Sequence, residues 1–240
     1  MRREPVDNGR NGGNREYAVT VRPPRLSRRM QQEGIPGNCM TYRERYHSLG
    51  LNGTNLSNQV AMQVAFEDAL LQHVQLSNSE LEELQLDDVR LVNCDLATAC
   101  WYKTAWHRVE VVGCHLIGFL AGEALFEDVL FKDCQLNLAQ FRFATLRSVR
   151  FEHCDLSEAD LLEADLSQIT LRDCSLRGAE LSGTHFKGID LTTCDIDGAH
   201  LGVEELRGAQ LNLRQSVALV EAMGIIVEQR DTTSQTSNLF

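Results

Sequence analysis

The sequence predicts an all-β solenoid, a right-handed quadrilateral β-helix of about eight coils followed by a short capping helix. Two regularities predict it. A large apolar residue occurs at every fifth position, and a smaller residue two places before it belongs to a pattern that repeats every twenty positions. An α-helix repeats about every 3.6 residues and a strand every second residue, so neither fits a period of five. The chain must instead turn a corner every five residues and return above itself.

The five-residue period runs from Leu51 to Leu211 without an insertion or a deletion. Of its 33 central positions, 31 carry a large apolar side chain, and Ala61 and Ala121 are the exceptions. A composition that is 43% hydrophobic does not produce such a series by chance. We therefore expect the central side chains to share one interior and to form the core of the rod.

The smaller residues fall into four columns, each of which recurs every twenty residues, so four five-residue units make one square coil. Where the second column changes from alanine to Phe119, the neighbouring centre becomes Ala121. This exchange conserves interior volume and indicates that both side chains point inward. The first column consists of Cys94, Cys114, Cys134, Cys154, Cys174 and Cys194.

Several units match a known repeat signature, A(D/N)LXX. They are Cys154-Asp155-Leu156-Ser157-Glu158, Ala159-Asp160-Leu161-Leu162-Glu163 and Ala164-Asp165-Leu166-Ser167-Gln168. On these units the chain resembles the pentapeptide-repeat proteins over residues 51–211. It is also similar to the quinolone-resistance and topoisomerase-poison self-resistance members. That resemblance implies a protein that binds and modulates or protects a type II topoisomerase, DNA gyrase or topoisomerase IV, and can confer resistance to its poisons.

Charge is distributed unevenly along the chain, whose net charge is −11. Residues 1–50 carry +5, residues 51–211 carry −15 and residues 212–240 carry −1. By side of the square coil, the cysteine-column side totals −4, the next two sides −5 each and the fourth −1. An acidic rod is not expected to bind nucleic acid directly.

The acidity of the rod predicts DNA mimicry. Eight coils spaced ~4.8 Å apart make a rod roughly 40 Å long. A charge of −15 then gives about one charge per 2.7 Å, against one per ~1.7 Å in duplex DNA. The candidate partner-binding carboxylates on the acidic faces are Asp95, Asp155, Glu158, Asp160, Glu163 and Asp165.

A second hypothesis is an interaction scaffold for an unrelated protein partner. Apolar residues at outward positions of three consecutive coils predict a contact patch. Its candidate residues are Ile117, Leu120, Leu138, Phe143 and Leu162. Partner binding through this patch would depend little on salt, whereas binding through the carboxylates would weaken strongly as salt increases.

The two ends are predicted to differ from the rod. Residues 1–38 contain all four prolines and many arginines, which is typical of a disordered basic tail, and residues 39–50 form a lead-in that caps the rod. The pattern over residues 212–228 predicts a helix over 213–223 and a short strand over 225–227. Residues 229–240 are predicted to form a second disordered tail. The helix either caps the rod or also forms a homodimer interface. The residues of that interface would be Val217, Val220, Met223 and Ile225.

The sequence predicts no catalytic site, metal site or cofactor. The cysteine ladder lacks zinc-binding spacing and is expected to pack as small apolar residues, whereas Cys39 and Cys100 lie off the ladder and are the thiols more open to reaction. No nucleophile motif accompanies the seven scattered histidines. We therefore expect a non-enzymatic protein. The absence of an apolar signal segment or membrane span predicts a cytoplasmic location.

Overall fold

The computed structural model describes residues 19–31 and 34–228, which form a parallel β-solenoid with one short C-terminal helix. The predicted disorder of residues 1–18, 32–33 and 229–240 lies outside the described residues. The strands are β1 (Arg45–His47), β2 (Gly50–Asn52), β3 (Val60–Met62), β4 (Ala65–Gln72), β5 (Glu80–Glu82), β6 (Gln85–Val92), β7 (Ala105–Val112), β8 (Leu125–Lys132), β9 (Thr145–Glu152) and β10 (Ile169–Arg172). The helices are a 3-10 turn, η1 (Pro36–Asn38), and α1 (Leu213–Ala222).

The main sheet stacks its strands in the order β1, β4, β6, β7, β8, β9 and β10, with β2 also paired to β4, and β3 pairs with β5 in a second sheet. Every pairing is parallel with a register of twenty residues, as in Phe66 opposite Leu86. The solenoid makes about six turns between β1 and β10. Isolated bridges continue the same register as far as Asp190 opposite Gln210. The sequence prediction of about eight coils also counts these outer coils, which lie beyond the named strands.

Each coil has four sides, which we name from the coil of residues 94–113. The Cys side is 94–98, the Ala side 99–103 and the Val side 109–113. Residues 104–108 form the strap side, along whose edge the N-terminal segment 19–31 lies. The eight-residue strands span the strap and Val sides and bend at the corner between them. The last residue of most units turns the corner with a left-handed backbone, as at Asp68 (φ 55°).

Central and column side chains fill the interior as predicted. Phe119 and Ala121 are both fully buried, and the Phe119 ring lies 5.6 Å from the Trp101 ring and 6.2 Å from the Trp106 ring. The indole nitrogen of Trp101 donates to Ser79 Oγ at 2.9 Å. The indole nitrogen of Trp106 donates to Thr104 Oγ1 at 2.9 Å. Two hydroxyl residues in the small columns therefore satisfy the polar atoms of the largest core residues.

The solenoid begins before Leu51, which corrects the predicted lead-in of residues 39–50. The segment enters the solenoid because β1 pairs with β4 and β2 pairs with the same strand. Buried Ile35 and Met40 close this end. The side-chain oxygen of Gln59 accepts a hydrogen bond from the Met40 backbone at 3.1 Å.

At the other end α1 covers the last coil. Asn212 caps the helix, and the Gln215 side chain donates to the backbone oxygens of Leu191 at 2.8 Å and Cys194 at 2.7 Å. The strand predicted over residues 225–227 does not form, because these residues pair with no strand edge and Ile226 is 89% exposed. Within the described residues no helix has the length and hydrophobicity to span a membrane.

The predicted disordered tail is wrong for residues 19–31, which we call the strap. They lie extended along the corner between the strap and Val sides, and at their C-terminal end Gln31 forms a parallel bridge with Leu49. Composition predicted disorder here because the segment is rich in proline and arginine. Its order comes from hydrogen bonds to residues 17 to 131 positions away in sequence.

Candidate functional site

Four of the predicted carboxylates occupy the same position of the repeat, directly before the central residue. Each accepts a hydrogen bond from the backbone nitrogen two residues ahead, at 3.0 to 3.1 Å. This local turn engages one oxygen and holds the carboxylate outward on its side of the rod. The four are Asp95, Asp155, Asp160 and Asp165.

The structure does not gather the six predicted carboxylates on one side. Asp155 and Glu158 lie on the Cys side, Asp160 and Glu163 on the Ala side, and Asp165 on the strap side, all within one coil. Asp95 lies three coils away, which is about 14 Å at the usual ladder spacing. Five of them therefore form a belt around the rod, and a partner that binds one side meets only part of it.

Two members of the belt are exposed corner residues, and one aspartate is paired with an arginine. Glu158 and Glu163 have left-handed backbones (φ 56° and 52°) at exposed corners. Arg142 Nε donates to Asp160 at 2.5 Å, which neutralises part of the Ala side. The freest predicted carboxylates are thus those of Glu158 and Glu163.

The strap side carries a row of acidic pairs that sequence reasoning missed as a site. The pairs are Glu67 with Asp68, Asp87 with Asp88, and Glu127 with Asp128, spaced at multiples of twenty residues. The twenty-residue spacing of these pairs was visible in the sequence. Their partner was not, because it is the strap.

The strap binds this row through its own backbone. The amide nitrogen of Arg25 donates to Asp88 at 2.8 Å and that of Ser27 to Asp68 at 2.6 Å. Arg22 donates its amide and its Nε to the two oxygens of Asp128, at 3.3 and 2.6 Å. The corner aspartates are therefore receptors for an extended chain.

These contacts shift the titration of the row. Burial raises the pKa of Asp88, but hydrogen bonds from Arg108 and from the Arg25 amide outweigh it, so this pKa lies below its usual value. Burial also raises the pKa of Asp68, but hydrogen bonds from Ser27 and Ser48 lower it by more. The pKa of Asp68 therefore also lies below its usual value. Both carboxylates are held in their ionised form.

The predicted apolar patch is partly assembled. Leu138 and Phe143 are 49% and 52% exposed. The Phe143 amide donates to the Leu162 carbonyl in the next coil at 3.1 Å, and Leu120 forms a bridge with Gln140 on the same side. Leu120, Phe143 and Leu162 therefore belong to the Ala side and Leu138 to its corner, whereas Ile117 lies around that corner on the Cys side.

The C-terminal candidates divide into two groups. Val217 and Val220 are half-buried in α1, whereas Met223 and Ile225 are 61% and 52% exposed. Sequence reasoning did not include Leu213 and Ile226, which are 81% and 89% exposed. The apolar surface at this end thus includes the beginning of α1 and the residues after it.

The cysteine column is buried as predicted, and its thiols lie against backbone oxygens, as Cys134 does with Lys132 at 3.2 Å. Cys39 is exposed and Cys100 is half-buried. Burial, followed by the charges of Glu80 and Glu82, raises the pKa of the Cys100 thiol, which opposes its reactivity. Of the two thiols predicted to be reactive, Cys39 is the more accessible.

Comparison with known proteins identifies the repeat. The model of the pentapeptide repeat region matches residues 84–161 and 124–201. Among curated proteins, none matches the sequence.

Two solved structures illustrate the similarity. Full-length QnrB1, a plasmid-mediated fluoroquinolone resistance protein, is 17% identical over 75% of this chain and 100% of its own, with a TM-score of 0.35. HetL, a pentapeptide repeat protein involved in heterocyst differentiation regulation in the cyanobacterium Nostoc, is 20% identical over 70% of this chain and 89% of its own, with a TM-score of 0.35. Similarity at this level carries no argument about function. The repeat and its family model do define the class: the chain belongs to the pentapeptide-repeat family.

Proposed function

We propose that this protein is a non-enzymatic DNA mimic that binds the type II topoisomerase DNA gyrase and modulates it or protects it from poisons. The observation that carries the proposal is the charge of the two sides that the strap does not cover. The Cys and Ala sides total −4 and −5. Over a rod of roughly 40 Å this is about one charge per 4.4 Å, close to the ~3.4 Å spacing along one DNA strand.

A binding role fits the shape of these sides. Glu158 and Glu163 are exposed at corners of the rod, whereas an acid–base pair works in a pocket that excludes water. A rod with acidic sides competes with DNA for a basic groove through its overall charge and width. Such a role places the protein in the cytoplasm with the bacterial topoisomerases.

Supercoiling by purified gyrase tests the proposal, with the protein titrated in at two salt concentrations and with or without a quinolone. We expect inhibition, or rescue from the quinolone, that weakens as salt increases. The variant Glu158→Lys/Glu163→Lys should need at least tenfold more protein, equivalent to about 1.4 kcal/mol of binding free energy.

The matched control is Glu110→Lys/Asp190→Lys, which makes the same charge change within the Val side, away from the corner that it shares with the Cys side. It should behave as the unmodified protein. No effect of the unmodified protein at tens of micromolar would refute the gyrase proposal. Equal effects of the two double variants would refute the assignment to the Cys and Ala sides.

One observation favours the alternative, an interaction scaffold for another protein. Among described non-glycine residues with positive φ, Leu138 (62°) and Phe143 (58°) are the two with apolar side chains, and both are half-exposed. A bulky apolar residue is unfavourable in this conformation and in water. In this case Leu138→Asp or Phe143→Asp abolishes partner capture, and capture changes little with salt. Charge reversal at Glu158 and Glu163 would then have no effect.

A further inference from the structure

The strap and the row beneath it match residue by residue. Along the corner between the strap and Val sides, successive coils present Asp68, Asp88, Arg108 and Asp128. The strap runs in the opposite direction and donates one backbone N–H to each aspartate, from Ser27, Arg25 and Arg22. Each donor in the strap therefore faces an acceptor in the row.

The one cationic position in the row faces the part of the strap that cannot donate. Pro23 and Pro24 lie between the contacts to Asp128 and Asp88, at the level of Arg108. Proline has no amide hydrogen, so it presents no donor to a guanidinium that itself needs acceptors. Arg108 pairs instead with Asp88 at 2.6 Å.

The spacing of the strap also matches the coils. Arg25 lies three positions after Arg22, and an extended polyproline-type chain covers about 9 Å over that length. The two coils from Asp128 to Asp88 span about 9.6 Å. The two prolines hold this stretch near the required length before it docks.

Packing and charge complete the match. Val21, Pro24, Leu26 and Met30 are half-buried, and a side chain at Gly50 would meet Met30 Cβ at 3.4 Å, so glycine leaves room for the strap. The strap contributes four arginines and no acidic residue to a side whose net charge is −5, which leaves −1. The docked strap therefore places four positive charges along an acidic side, and Arg22 among them pairs directly with Glu127 and Asp128.

We propose that the row of Asp68, Asp88 and Asp128 is a binding site for an extended, arginine- and proline-containing segment, and that the strap occupies it as a displaceable intramolecular cover. When the strap is displaced, these three carboxylates become free to accept hydrogen bonds from the backbone of another segment. A tethered segment acts at an effective concentration of about millimolar, so an external segment of the same kind binds only after the strap is weakened. The strap thereby controls access to the strap side.

A labelled synthetic peptide with the sequence of residues 19–31 is the probe, and its binding to the full chain is measured by fluorescence anisotropy. The release variant is Arg22→Glu/Ser27→Pro. It reverses the charge of the side chain that pairs with Asp128 and removes the backbone N–H that binds Asp68. The control is Arg28→Glu/Thr20→Pro. It makes the same charge change and adds one proline at exposed positions for which the described structure records no bond to the row.

We expect the release variant to bind the peptide at least tenfold more tightly than the unmodified chain and the control variant. Adding Asp68→Asn to the release variant should weaken that binding again. Equal peptide binding by the release and control variants would overturn the proposal. Amide exchange gives an independent check, since the Arg25 and Ser27 amides of the unmodified chain must exchange more slowly than that of Arg28. Equal exchange rates would show that the strap is not docked.

A supercoiling assay of the same variants rests on the proposed function, and it distinguishes gyrase binding from the displaceable cover. If gyrase uses the strap side as well, the release variant inhibits supercoiling at lower concentration than the control variant. Tighter peptide binding without a change in supercoiling supports the cover and argues against this use by gyrase. A change in supercoiling without a change in peptide binding argues against the cover.

Discussion

Asp128 binds both the amide nitrogen and the guanidinium of Arg22, although 106 residues separate them in sequence. Only 4% of the Asp128 side chain is exposed, whereas 53% of the Arg22 side chain is. The buried carboxylate thus depends on a residue of the strap for its counter-charge. The docked strap consequently contributes to the stability of the protein.

This dependence predicts that Arg22→Ala lowers the melting temperature. The substitution leaves the Asp128 carboxylate buried without its guanidinium, and an unpaired buried charge is destabilising. Thermal unfolding followed by circular dichroism measures the shift. Arg28→Ala removes an exposed arginine of the same strap and should leave the melting temperature unchanged. Equal melting temperatures for the two variants would contradict the prediction.

Ser79→Ala tests the polar contacts inside the core. Ser79 is fully buried, accepts from the Trp101 indole at 2.9 Å and donates to the Leu76 carbonyl at 2.7 Å. Losing the hydroxyl leaves the buried Trp101 indole N–H without an acceptor, whereas the Leu76 carbonyl keeps its bond from the Ser79 amide. The unsatisfied indole should lower the free energy of unfolding by about 1–3 kcal/mol in urea titrations. Ser167→Ala, at an exposed position, is the control and should cost less than about 0.5 kcal/mol.

Thiol titration with Ellman's reagent should resolve three classes among the eight cysteines. Cys39 is exposed and should react first. Cys100 should react slowly and gain rate as the pH rises above 9, because its raised pKa keeps it protonated at neutral pH. The six buried thiols should react only in denaturant. Rapid reaction of more than two thiols in the folded protein would show that the column is accessible.

The strap contacts should be lost in acid. The pKa values of Asp68 and Asp88 are lowered on folding, so their contribution is complete above the usual carboxyl pKa of ~3.9 and disappears as the pH falls through the lower folded values. Amide chemical shifts of Arg25 and Ser27 should therefore stay constant from pH 7 to 5 and move toward disordered values below about pH 4. The amide of Arg28 is the internal reference. Release already at pH 5 would contradict the assignment.

The apolar C-terminal end predicts self-association. Leu213, Met223, Ile225 and Ile226 are each more than half exposed, and we propose that a second copy covers them. Sedimentation velocity should show a dimer that Met223→Asp/Ile226→Asp converts to monomer. Val203→Asp, at another exposed apolar position, should leave the dimer intact. A monomeric unmodified protein would leave α1 as a cap alone.

Sequence periodicity predicted the core and the side on which each unit lies, but not the contacts made by the two ends of the chain. The exchange of Phe119 and Ala121 was readable because interior volume is conserved within one coil. The same period places Asp155, Glu158, Asp160, Glu163 and Asp165 on three different sides, since successive units form successive sides. Gln215 looked like an ordinary helix residue, and its bonds to two carbonyls of the last coil depend on where the helix lands.

By itself the sequence determined the solenoid, because a five-residue period places one large side chain per side in the interior and leaves little choice of register. Only the tertiary structure decided what the strap does. Residues 19–31 have no periodic pattern, and their partners become neighbours only after the coils have stacked Asp68, Asp88 and Asp128 into a row. The strap can bond these carboxylates in succession only when they stand one or two coil spacings apart in space. In the sequence they are twenty or forty residues apart, so the sequence alone does not reveal the row.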